Sequence, residues 1–276
     1  MRFIKEFKQK IQNINMIKLE IGTCIIFILI DFVIIGRHLI KTKPINFNIS
    51  IFDILCLPMG GGILGTISLS FPIIPIFAFI VIRLLDFEIN DVYLIRLKSR
   101  KKIWNSRIKF IVALSFIYSL IVVFGGYTIS GILLKDFKNG WNLENSIIYN
   151  CINNVEIWGK VSHMILTYKM LPVIFISFFL GTCAIGVFIS MLKIKLKNIY
   201  VYLILSIMLF LDATQSEFSI IISQMTIVLK NWINPNTILV NYIYLFFMIF
   251  ICYFVGKEII LDQDFINKKL EEEIYE

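Results

Sequence analysis

The residues able to do chemistry in this chain are few and scattered. Its two histidines, His38 and His163, fall on separate connections between apolar stretches. No HExxH spacing sets two imidazoles on one helical face, so a zinc-peptidase site lacks its ligands. No GxxxxGK[ST] loop is present to cradle a nucleotide. "GGGILG" at residues 60–65 superficially resembles a nucleotide glycine loop, but it precedes an apolar run and reads as a flexible lead-in to it. The five cysteines form no CxxC pair. Cys24, Cys183 and Cys252 sit inside apolar runs, where a thiol behaves as a small apolar group; only Cys56 and Cys151 lie where a disulfide is conceivable. Glu271, Glu272, Glu273 and Glu276 read as a solvated helical end. The chain is therefore expected not to be an enzyme and to bind no metal and no cofactor of its own.

Acids inside apolar surroundings are the sharper anomaly. Asp31 stands near the middle of an apolar run, where a carboxylate costs about 2.5–3.5 kcal/mol on insertion scales and should face protein or water. It admits two readings, a place on a cation or substrate path or a structural hydrogen bond to a neighbouring segment. Asp212 and Glu217 interrupt a second stretch, "LDATQSEFSIIISQMTIVLKNWINPNTILV", that stays largely apolar to its end. These three acids are the candidates for a translocation path.

The densest charge lies in "RLKSRKKIWNSR", residues 96–107, with Arg96, Lys98, Arg100, Lys101, Lys102 and Arg107 and no acid. Just before it, Asn90 or Asp91 is placed to cap a short helix whose Val92, Tyr93, Leu94 and Ile95 are too apolar for an ordinary linker. Ser99 lies between, and Arg96, Arg100 and Trp104 follow at four-residue steps along one helical face. Trp104 suits an interfacial anchor where the next apolar run begins. On the residues alone this segment is either a docking element for a soluble partner or an anchor for phospholipid headgroups.

The elements that must position these groups are apolar helices. The 276 residues are 58% hydrophobic and 17% charged, with a mean hydropathy of +0.82, against roughly 45–50% and about 25% for a soluble domain. Continuous apolar runs, rather than alternating ones, exclude a barrel. Six spans are expected at 21–40, 63–84, 110–133, 171–192, 200–211 and 238–255. Connections expected on one side carry 5, 8, 3 and 3 Lys and Arg, those on the other 3, 4 and 1. The positive-inside rule then puts both termini in the cytoplasm. It also accounts for the net charge of +8 without nucleic acid. Phe3, Ile4, Phe7, Ile11, Ile14 and Ile17 stripe the first eighteen residues as an amphipathic interfacial helix or a basic lead-in. Residues 19–276 form the membrane domain, with a cytoplasmic loop at 85–109. Residues 212–237 read as a re-entrant broken hairpin, tolerable at membrane depth only if it lines a cavity or is buried in protein; the alternative is an overlong tilted span followed by an ordinary loop. Gly126 with Ser130, and Thr182 with Gly186, have the small-xxx-small spacing that lets helices approach. Pro72 and Pro75 should kink the second span.

Six spans, an amphipathic N-terminal helix, a cytoplasmic helix between the second and third spans and a broken outward segment between the fifth and sixth resemble the permease subunits of ATP-binding-cassette exporters of the polysaccharide, drug and peptide type. Arg96, Ser99, Arg100 and Trp104, running straight into the third span, look like the loop of small bacterial permeases of peptide- or bacteriocin-related exporters. The resemblance implies that Asp91, Tyr93, Leu94, Ile95, Arg96, Ser99, Arg100 and Trp104 couple to a separately encoded ATPase dimer, which would bind ATP and magnesium. It also implies a second permease copy or homologue, a plasma-membrane location, and a peptide or lipophilic cargo. Two other readings stand beside it: an accessory or immunity-type protein that binds a peptide without transport, and a secondary transporter coupled to ions through Asp31.

Overall fold

The computed structural model describes residues 2–42, 49–57, 60–88, 99–143, 146–152, 154–214 and 220–262, with the backbone alone for 2–17 and 87–88. Among the described residues the regular structure is helical, with no strand. In chain order the helices are α1 (Arg2–Thr42), α2 (Ile51–Leu55), α3 (Thr66–Ser68), α4 (Ile74–Glu88), α5 (Arg100–Leu134), α6 (Ile147–Ile152), α7 (Val155–Ser162), α8 (Thr167–Leu192), α9 (Asn198–Thr214), α10 (Ile222–Met225), α11 (Leu229–Ile233) and α12 (Asn236–Asp262). One π turn, Leu69–Ile73, joins α3 to α4. Among the described residues, five segments are long and apolar enough to cross a membrane: Lys18–Thr42, Thr66–Asp86, Arg100–Leu134, Thr167–Leu192 and Asn236–Asp262. The chain is an all-α, multi-pass membrane protein.

Helix α8 is apolar on every side, which suits a helix enclosed by others. In its most apolar stretch 72% of residues are buried, against 17% in α1 and α12, most of whose surface the rest of the chain leaves uncovered. It packs on α5, α12, α4 and α10. Small side chains allow this closeness: a Cβ on Gly186 would lie 2.6 Å from Ile111 of α5 and 3.5 Å from Phe77 of α4. Thr182 returns its hydroxyl to Phe178 and Phe179 carbonyls at 3.0 and 2.9 Å and lies 3.3 Å from the Ser119 hydroxyl. On α5, Gly126 receives Leu55 of α2, and Ser130 donates to the Gly126 carbonyl at 2.7 Å.

Three elements bear on the sequence expectation. The segment expected as the fifth span is α9, only 17 residues long, about 25 Å of helix against a hydrocarbon core of about 30 Å. Helix α1 runs without a break from Arg2 to Thr42, so the amphipathic stretch and the first span belong to one continuous helix. Helix α5 begins at Arg100, ten residues before the expected span, because the basic turn is itself helical. At Pro72, which has no N–H to give, the helix widens into the π turn; the Ile74 N–H reaches Leu69, and the buried Tyr118 hydroxyl donates to the Ile73 carbonyl at 2.6 Å.

At the end of the bundle where α1 finishes, the glycine turn clips onto α2. Gly60 and Gly62 hold φ of 82° and 89°, a region that favours glycine. The N–H groups of Ile63 and Leu64 donate to the Ile54 and Leu55 carbonyls at 2.8 Å, and that of Thr66 donates to Gly60 at 2.9 Å. These donors are thus spent on the chain itself. Asp53 is buried beneath the turn and accepts from the Ser50 N–H at 2.7 Å and from the Trp141 indole at 2.6 Å. Burial pushes its carboxyl above the ordinary carboxylate range, and these two donors oppose the shift. A carboxyl raised in the folded state contributes stability that is present below the unfolded value and lost as pH rises through the folded one. The melting-temperature difference between wild type and Asp53→Asn, followed by tryptophan fluorescence, should therefore shrink as pH rises through that window. A difference that grows with pH would contradict the assignment. Cys56 and Cys151 are not bridged, and burial first, then the charge of Asp53, pushes both thiols up.

Candidate functional site: the basic-loop end of the bundle

Helices α4, α5, α8, α9 and α12 all present a terminus at the end of the bundle opposite Asp53, and α1 passes it near Lys18. The contacts below fix this grouping. The connections richest in Lys and Arg thus converge on one end, as the charge pattern predicts.

Two fastenings hold this end together. The first joins α5 to α12. Trp104 is wholly buried, its indole N–H donates to the Tyr253 carbonyl at 3.1 Å, and its six-membered ring lies directly beneath Gly256. Ile103, Ile194 and Ile260 complete the cluster around it. Arg100 donates to the Leu261 carbonyl at 2.6 Å, supplying a cation to carbonyls that a helix C-terminus leaves without partners. The Tyr253 hydroxyl adds a bond to the Asn105 amide oxygen at 2.9 Å. The second fastening joins α4 to its neighbours. Arg83 makes a two-pronged pair with Glu20 of α1 at 3.0 and 2.8 Å. Asp86 pairs with Lys193, just past α8, and accepts from the Asn198 amide at 2.8 Å, while Lys193 also donates to Asn198.

The sequence candidates separate on this geometry. Asp91, Tyr93, Leu94, Ile95 and Arg96 lie outside the described residues. Ser99 is exposed and stands at the N-cap of α5, its carbonyl accepting from Lys102 and Ile103 at 3.0 and 3.2 Å. Trp104 does not anchor the chain at a membrane surface as expected: its indole is enclosed between α5 and α12, because Gly256 leaves room for the ring. Asp31 is half-buried on α1, with one carboxylate oxygen enclosed and without a hydrogen-bond partner. Asp212 is buried at the end of α9, where its two oxygens accept from the N–H groups of Ile220, Ile221 and Ile222. Both oxygens are therefore engaged by the backbone that leads into α10. Glu217 lies outside the described residues. Beyond it, α10 and α11 are short helices with a break between them; α10 packs on α8 and α12, with Met225 against Gly181, and α11 packs on α12 and α7, with Trp232 buried.

Sequence reasoning missed Glu20, Arg83, Asp86, Lys193, Asn198 and Asp53. For Asp53 a signal existed, since "SIFD" at 50–53 has the spacing of a capping box. For the others none did, because partners up to 112 residues apart meet only in the fold. Compared with family models, with curated proteins and with solved structures, the chain matches none.

Proposed function

We propose that this chain is the membrane permease subunit of an ATP-binding-cassette exporter, moving a peptide or a lipophilic compound with energy from a separately encoded ATPase dimer. In this reading α9 is the fifth of six spans, both termini and the basic loop face the cytoplasm, and the protein sits in the plasma membrane beside a second permease copy or homologue. The observation that carries the proposal is mechanical. The segment containing 91–98 leaves α4 immediately after the Arg83 and Asp86 contacts and joins α5 immediately before the Trp104 joint. A displacement of that segment by a soluble partner therefore acts at once on α1, α4, α5, α8 and α12. The broken pair α10–α11 at the opposite end, seated on α8 and α12, gives those helices something to move there.

The test is co-purification in mild detergent with ATPases from the same cell, beside a Tyr93→Ala/Arg96→Glu double variant. A phosphate-loop ATPase held by the wild type and released by the variant is the expected result. Retention of no ATPase by wild type would overturn the proposal.

A further inference from the structure

We infer that Asp86, Lys193 and Asn198 form a latch that holds the basic-loop end of the bundle closed, with Arg83 and Glu20 as its outer clasp. The three side chains make a closed ring. Lys193 donates to one oxygen of Asp86 and to the Asn198 amide oxygen, and the Asn198 amide nitrogen donates to the other oxygen of Asp86 at 2.8 Å. The Lys193 side chain is only 8% exposed, whereas Asp86 is one-third exposed. An enclosed ammonium is tolerated only while it is paired. Loss of either acceptor leaves the charge under-compensated, so the ring is either whole or open, which is the behaviour a latch needs. The Arg83–Glu20 pair is more exposed, at 48% and 27%, and such pairs contribute little alone.

Position gives the ring its consequence. The packing of α4 is chiefly against α8. At this end its ties to α1 and to the start of α9 run through Arg83 and Asp86, and the basic loop follows within a few residues. Opening the ring frees the end of α4 from the α8–α9 turn and so parts the helices that flank it. That the basic loop drives this opening rests on the exporter reading; closure by the ring does not.

Cys24 reports on the latch, because it is half-buried one helical turn along α1 from Glu20. Cys183, buried in α8, reports on the fold as a whole. The full chain in lipid nanodiscs is treated with a water-soluble maleimide, and labelling at each cysteine is followed by mass spectrometry. Asp86→Asn and the milder Asn198→Ala should raise the labelling rate of Cys24 by about tenfold or more, the factor implied by losing one charge-assisted hydrogen bond, and leave Cys183 unchanged. An unchanged Cys24 rate in both variants overturns the latch. So does a parallel rise at Cys24 and Cys183 in Asn198→Ala, which would make the ring a determinant of the whole fold. No ATPase takes part, so failure here leaves docking standing, and failure of co-purification leaves the latch standing.

Discussion

Trp104→Ala is expected to lower stability by about 3–5 kcal/mol, the usual cost of emptying a large buried aromatic site. The effect should appear as a large drop in the detergent melting temperature. Trp104→Phe keeps most of the packing and forfeits the indole bond to the Tyr253 carbonyl, so its loss should be only about 1–2 kcal/mol. Gly256→Leu attacks the same joint from the other side. Its Cβ would fall inside contact distance of the indole ring, and a rigid ring held by Ile103, Ile194 and Ile260 has nowhere to go. The expected cost is about 1–3 kcal/mol or more. Gly181→Ala attacks a second close approach: its Cβ would fall inside contact distance of Cγ of the buried Met225, so this change too should destabilise, by displacing α10 from α8. An exposed docking residue would behave oppositely: Trp104→Ala would leave the melting temperature unchanged and release the ATPase. Under the exporter proposal, a chain carrying Trp104→Phe still binds its ATPase, since the segment containing 91–98 is untouched.

Asp212→Ala should be the second most damaging single change. It removes the acceptor for three successive N–H groups, those of Ile220, Ile221 and Ile222. Ile221 and Ile222 are buried, and each buried donor left without a partner costs about 1–3 kcal/mol. The α10–α11 pair should lose its fixed position on α8 and α12 before the long helices unfold. The measurement is limited proteolysis across 215–233, together with fluorescence of the buried Trp232. Cleavage there should accelerate by about tenfold or more, the factor that each 1.4 kcal/mol implies, while the melting of the long helices shifts less. Asp212→Asn keeps one acceptor oxygen and should fall between. If cleavage is unchanged in Asp212→Ala, the carboxylate does not hold this segment, and its place among the translocation-path candidates regains weight. Asp212 shapes the segment through its backbone, whereas among the described acids Asp31 has an enclosed oxygen left to satisfy.

The sequence by itself determined the class of this protein. Continuous apolar runs cannot be soluble helices in such number, and the asymmetry of Lys and Arg grouped the connections that the fold brings to one end. It also set Asp212 and the polar residues following it apart, because they interrupt an apolar stretch that a plain span would not contain. These are local properties: hydropathy and charge are read a few residues at a time, and a bilayer responds to them that way. Only the tertiary structure decided which side chains meet. Trp104 has the type and position of an interfacial anchor, and nothing near it in sequence shows that Gly256 opens a place for its ring. Asp86, Lys193 and Asn198 each resemble ordinary solvated residues at helix ends, yet across more than a hundred residues they close one ring. Partner choice depends on how helices pack, and packing is a property of surfaces that become adjacent only after the chain has folded.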